Sequence, residues 1–172
     1  MSNVEVVLVS GMSGAGKSTA MAVFENMGYY CIDNYPVALL EEFGDYLFNE
    51  TLGSKIAMGI SLGDALQAIR ELSNMDWIKL TIVFLDCDNS EILKRYKQTR
   101  RSHPMMIMNK ANTLYDSIEL ERHEFEQIKT QADLVIDTTL LKRTALQDRL
   151  EASFYHETGE TFRVSFVSFG YK

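Results

Sequence analysis

The sequence predicts an α/β fold, with a mostly parallel sheet of five or six strands covered by helices on both faces. Three observations predict it. An apolar, β-branched run at residues 4–10 leads directly into a glycine-rich turn and then a helix. Short apolar runs of strand length alternate with amphipathic stretches along the chain, the pattern of βαβ units. The glycine-rich turn, Asp33, Ser61, Asp86 and Asp137 each close one of those runs. That gathers them at the carboxyl edge of a parallel sheet, where ligands of such folds bind.

Each element has its own warrant. Residues 4–10 read as a buried strand and 17–27 as a helix stopped by Gly28. A second strand, 29–32, ends at the block DNYP, and residues 37–49 have helical spacing. A strand at 55–60, a helix at 64–75 and a strand at 80–85 follow. Ser90 is a suitable N-cap for a helix over 91–99. Residues 100–110 carry no strong pattern. Leu114, Ile118, Phe125 and Ile128 recur on one helical face and predict a long amphipathic helix. Residues 134–137 make a fifth strand, followed by a helix to about residue 154. The imperfect alternation over 161–169 suggests a sixth strand.

Composition bounds the function. The 172 residues suit one domain with a full core; 46% are apolar and 24% charged, with ten Gly and two Pro. No internal repeat or low-complexity segment interrupts them. A net charge of −7 argues against whole-surface attraction to nucleic acid or anionic membrane, and leaves a local basic patch open. Cys31 and Cys87 stand far apart, and the amino terminus has no secretory signal, so both read as reduced thiols of a cytoplasmic protein. No apolar run approaches the ~18 residues that span a bilayer.

The turn GMSGAGKS has the Gly11-x4-Gly16-Lys17-Ser18 spacing of a phosphate-binding loop. Its placement after a buried strand and before a helix favours that reading over a ligand-free turn, and makes the fold a three-layer, kinase-like P-loop NTPase fold. Backbone amides of Gly11, Met12, Ser13, Gly14, Ala15, Gly16, Lys17, Ser18 and Thr19 would cradle phosphate oxygens. The following helix adds its positive end. Lys17 can reach the β- and γ-phosphates, and Ser18 can ligate Mg²⁺. Magnesium needs a carboxylate as well, for which Asp33 and Asp86 are the candidates. TIVFLD has the apolar-run-then-Asp pattern of a Walker B strand. In small P-loop kinases, however, that strand leads to the lid, so Asp33 is preferred over Asp86. Each could instead only cap a turn.

Lys94, Arg95, Lys97, Arg100, Arg101 and Lys110, with His103, form a basic cluster without an acidic residue. Arg100 and Arg101 could close over the nucleotide as a lid, since guanidinium forks match phosphate. A solvated helix face and a short RNA contact around Tyr96 are the competing readings. His103 has no second His or Cys spaced to make a metal site. Met105, Met106 and Met108 read as packing residues. Thr138 and Thr139 are either base contacts or, preferably, turn formers.

Five blocks carry a more specific resemblance: VSGMSGAGKS, ENMGYYCIDNYP, FLDCDNSEILKRYKQTRRSHP, ADLVIDTT and SFGYK. In this order, across nearly the whole chain, they resemble the amino-terminal domain of the RapZ family, bacterial nucleotide-binding proteins also called RNase adapters. The resemblance implies binding of ATP and GTP with Mg²⁺, weak hydrolysis in some members, and control of amino-sugar metabolism through a small RNA and an RNase. Residues 11–18 match the family's ATP loop. Asp33, Asn34 and Pro36 match its DNxP block, while Arg100, Arg101, His103 and Pro104 match its RRxHP block. Members carry Asp-x-Arg at the end of the third strand, a stretch assigned to GTP. Here Ser61, Leu62 and Gly63 stand there, followed by Asp64, so both charges are absent. Ser61, Gly63 and Asp64 are the corresponding candidate contacts, and hydrolysis is expected to be slow at most. Members also continue into a carboxy-terminal domain credited with RNA and metabolite sensing. The chain ends at Lys172, so it is expected to be one nucleotide-binding domain over 1–172, with RNA and RNase contacts falling mainly to the missing part.

Three functions therefore compete: a nucleotide-responsive regulatory domain, a small-molecule or nucleoside kinase, and an RNA- or protein-binding adapter with a vestigial nucleotide site. The first is preferred. Each of the three is compatible with ATP or GTP as ligand and with an oligomer.

Overall fold

The computed structural model of the chain describes residues 4–34, 36–40, 42, 55–60, 64–99 and 101–154. Its sheet comprises β1 (Val4–Gly11), β2 (Tyr30–Asp33), β3 (Lys55–Gly59), β4 (Ile78–Asp86) and β5 (Leu134–Asp137). The order is β2-β3-β1-β4-β5, and every pairing is parallel. β1 lies in the middle because its residues 6–11 are buried on both faces, which suits an unbroken apolar run rather than an alternating one.

The helices are α1 (Lys17–Asn26), α2 (Ala65–Ser73), α3 (Asn89–Lys97), α4 (Pro104–Ile107), α5 (Leu114–Glu124), α6 (Glu126–Gln131) and α7 (Arg143–Phe154), with a 3-10 turn at Val37–Leu39. Right-handed crossovers decide the layers. From β1 the chain runs through α1 past β3 to β2; from β3 it runs the opposite way, through α2 past β1 to β4. The two helices therefore cover opposite faces. α7 joins α1 on one face, and α6 packs against α2 and β4 on the other. Edge-to-face aromatic pairs close each side: Phe24 with Tyr29 and Phe154 at 5.1 and 5.0 Å, and Phe84 with Phe125 at 5.4 Å.

The five core strands and their order-determining helices follow the sequence pattern, with shifted ends. β4 begins two residues earlier than expected and runs to Asp86, and α3 starts at Asn89 after Asp88 rather than at an Ser90 cap. The patternless stretch 100–110 contains the short helix α4, because Pro104 opens it and the His103 ring accepts the Met105 amide as its cap. The long helix divides: Phe125, at φ −84 and ψ −2, separates α5 from α6 and turns its ring onto Phe84. Of the expected 37–49 helix, the described residues form the 3-10 turn Val37–Leu39 and are α-helical at Leu40 and Glu42. The rest of that helix, and the expected strand at 161–169, lie outside the described residues.

Strand register brings the carboxyl ends together. Asp33 pairs with Gly59, Gly11 with Leu85, and Asp86 with Asp137. The glycine-rich turn leaves the sheet at the centre of this edge.

Candidate nucleotide-binding site

The turn from Gly11 to Gly16 is fastened from outside, residue by residue. Gly11 has φ +154, and a side chain there would meet the Leu85 carbonyl at 2.5 Å, so only glycine lets β1 run this close to β4. The Met12 amide donates to the Leu85 carbonyl at 3.0 Å, and the Ala15 amide to the Met12 carbonyl at 2.9 Å. Arg95 donates from one terminal nitrogen to the Gly14 carbonyl and from the other to the Thr138 carbonyl, each at 2.8 Å. The Thr138 hydroxyl donates to the Ala15 carbonyl at 2.7 Å. Glu121 accepts the Ser13 amide at 3.0 Å and the Ser13 hydroxyl at 2.5 Å.

The other polar groups of the turn are left over. Among the described residues, the amides of Gly14, Gly16, Lys17 and Ser18 have no protein acceptor. Gly16 has φ +108, the left-handed form, and serves as the cap of α1 without a side chain over the helix end. The first turn of α1 thus presents bare N–H groups, the positive end of the helix, Lys17 and the exposed Ser18 to one place. Backbone donors converging with a lysine form an anion nest suited to phosphate.

Asp33 comes to the same side. Its carboxylate lies over Gly59, occupying the space a β-carbon there would need. That space is also 3.6 Å from the Met21 sulfur. Ser18 precedes Met21 by three residues on α1, so it shares that flank of the helix. Asp33 and Ser18 are the donor set that fits a hard cation beside phosphate.

Asp86 is committed elsewhere. Burial acts to raise its pKa, but hydrogen bonds from Lys129 and Arg122, each at 2.8 Å, and from the Cys87 amide at 2.7 Å outweigh it. They hold the carboxyl below its ordinary value. Arg122 also donates to Asn89 and to the Cys87 carbonyl. Asp86 is thus a clasp joining β4 to α5 and α6. Asp137 likewise accepts from the Thr139 amide and hydroxyl, which lower its pKa. Both cysteines are free, and burial pushes their thiols up.

The basic cluster separates into parts. Lys94, Lys97 and Lys110 are exposed, whereas Arg95 is half-buried against the turn. Arg101 is exposed at the entry to α4. His103 is fully buried and reaches the turn through Glu121, its Nε2 lying 3.2 Å from Oε1 of that carboxylate. Asp64 precedes α2. Arg100, Ser61 and Gly63 lie outside the described residues. Glu121, and Arg95 and Thr138 as fasteners of the turn, were not singled out from sequence. A signal for Glu121 existed: it occupies the apolar face of α5 between Ile118 and Phe125, where a charge requires partners.

Fold and site together define a kinase-like P-loop domain. The chain matches the RapZ-like N-terminal domain over residues 4–158 and belongs to that family. It is 36% identical over 176 residues to a nucleotide-binding protein of Lactiplantibacillus plantarum, covering 99% of the chain and 59% of the relative. It is 41% identical over 180 residues to a nucleotide-binding protein of Shouchella clausii, covering 99% and 60%. The chain therefore spans about three fifths of the length of these relatives. Among solved structures, shikimate kinase from Acinetobacter baumannii in complex with shikimate superposes with a TM-score of 0.58 at 16% identity, covering 92% of this chain and 96% of that one. At that identity the likeness concerns the fold alone. No described helix is long and apolar enough to cross a membrane.

Proposed function

We propose that this domain binds ATP or GTP with Mg²⁺ at residues 11–18 and serves as a nucleotide-responsive regulatory unit that hydrolyses its ligand slowly at most. The observation that carries the reading is the sorting of the turn's polar groups. Some are bonded to the protein, while among the described residues the amides of Gly14, Gly16, Lys17 and Ser18 have no acceptor. Lys17 would contact the outer phosphates, and Ser18 with Asp33 would hold the metal. Metal so held would screen phosphate charge.

The commitments of the carboxylates support slow turnover. Asp86 is clasped by two cations and Asp137 is folded into its own turn, which leaves Asp33 as the strand-end acid for the cradle. In the full-length protein, RNA and RNase contacts would fall mainly beyond this chain, in the cytoplasm.

Calorimetry with ATP, GTP and their diphosphates, with and without Mg²⁺, tests the reading. Saturable binding is expected that Lys17→Ala abolishes while the melting temperature of the free protein holds. Unchanged affinity in that variant would remove Lys17 from the site. Turnover in the ~1–100 per second range of kinases would overturn the regulatory reading.

A second reading, a small-molecule kinase, is favoured by one observation: Asp33 is exposed at the sheet edge, where it could accept a proton from an acceptor hydroxyl. The shikimate bound in the A. baumannii kinase makes a small hydroxylated acid one acceptor to try. If labelled ATP binds but transfers no phosphate across an acceptor panel, this reading falls.

A further inference from the structure

We propose that Glu121, steadied by His103, is a positioning residue for the nucleotide loop, one that holds the loop in its phosphate-ready shape and ties it to the segment carrying Arg101. The inference rests on the nucleotide-binding reading above.

Glu121 is 2% exposed, and its carboxylate carries three donors. Oε1 receives the Ser13 amide and the His103 ring, and Oε2 receives the Ser13 hydroxyl. The ring's protonation follows from its other side. Nδ1 of His103 accepts the Met105 amide at 3.1 Å, so the proton sits on Nε2 and is donated to Glu121. A buried carboxylate is tolerated only when its oxygens are hydrogen-bonded, and this one is bonded on both.

Glu121 does not compete for the phosphate place. It is buried and bonded to Ser13, whereas Gly14 and Ser18 are exposed. A charge placed there holds the Ser13 amide, while the amides of Gly14, Gly16, Lys17 and Ser18 keep no protein acceptor among the described residues. Tyr96 completes the support. Its ring would lie 3.3 Å from a β-carbon on Gly14, and its centroid is 5.4 Å from that of His103. The loop, Tyr96, His103 and Glu121 thus form one packed unit, and Arg101 is two residues from His103. Binding to a loop already in shape avoids the ordering cost that a free glycine-rich turn would incur.

The test compares Glu121→Ala, Glu121→Gln and Ser13→Ala with the wild type. Hydrogen exchange of the Ser13 amide is followed in the free protein and ATP affinity by calorimetry, with urea unfolding as the check on folding. Glu121→Ala is expected to speed exchange at Ser13 and weaken ATP about ten- to a hundredfold, the worth of losing hydrogen bonds to a charged group. Glu121→Gln keeps one acceptor oxygen and is expected to recover part of both effects. Ser13→Ala, a change in the turn itself that keeps the fold testable if Glu121→Ala does not fold, is expected to weaken ATP binding. Its effect should combine with that of Glu121→Gln less than additively. Additive losses, or wild-type affinity and Ser13 protection in a folded Glu121 variant, would overturn the positioning role while leaving nucleotide binding intact. A wild-type chain that binds no nucleotide would overturn both.

Discussion

Gly59 separates two demands on one residue. A β-carbon there collides with the Asp33 carboxylate, the free end of a flexible side chain, and with no backbone atom. Gly59→Ala is therefore expected to cost less than about 1 kcal/mol in urea unfolding, because Asp33 can swing aside. The same swing moves the acid away from the Ser18 flank. The Mg²⁺-dependent part of ATP affinity should fall while the Mg²⁺-independent part stays, which calorimetry with and without the metal resolves. The spacing Gly11-x4-Gly16-Lys17-Ser18 was legible at this scale because it encodes local backbone geometry. Glu121, Arg95 and Thr138 reach the turn from 108, 81 and 123 residues away, so nothing in the turn's own sequence announces them, and Glu121 is flagged only by its place on an apolar helical face.

Between elements, Arg122 is the joint. It reaches from α5 to Asn89 on α3, Asp86 on β4 and the Cys87 carbonyl. Arg122→Ala is expected to lower stability by about 1–3 kcal/mol in urea, the lower end reflecting its partial exposure. The clasp should also shape acid unfolding. Asp86 has a folded pKa below its unfolded value, so its stabilisation is complete above about pH 4 and fades as pH falls through the folded pKa. The stability gap between wild type and Asp86→Asn should accordingly narrow below pH 4. Where the basic segment closes over ligand, Arg100→Ala with Arg101→Ala should weaken triphosphates more than diphosphates. Equal losses would argue against a lid. Strands and most helices could be read from periodicity alone. The break at Phe125 could not, because it depends on a ring seated against Phe84 on a distant strand. α4 also escaped pattern reading, since its cap is a histidine ring that also serves Glu121.

For the whole molecule, bound nucleotide is expected to act as a stabiliser. At a hundred times its dissociation constant it adds about 2.7 kcal/mol, or roughly 5–10 °C in a domain of this length. Thermal scans with ATP should show that rise in the wild type and none in Lys17→Ala. The order β2-β3-β1-β4-β5 places the first strand at the centre, and hence the loop from the first turn of the chain at the middle of the binding edge. Its supports come late: Thr138 follows β5, Leu146 of α7 lies 3.4 Å from a β-carbon on Gly16, and Phe154 closes the cluster with Phe24 on α1. Contacts of such long sequence separation form slowly, and on a ribosome they cannot form at all until the later residue exists. The phosphate motif is translated well over a hundred residues before Phe154, yet it takes its full set of supports only once the chain has been made past that residue. A growing chain therefore carries a nucleotide signature long before it has a nucleotide site, and ligand can favour the fold only in chains whose synthesis has passed that point.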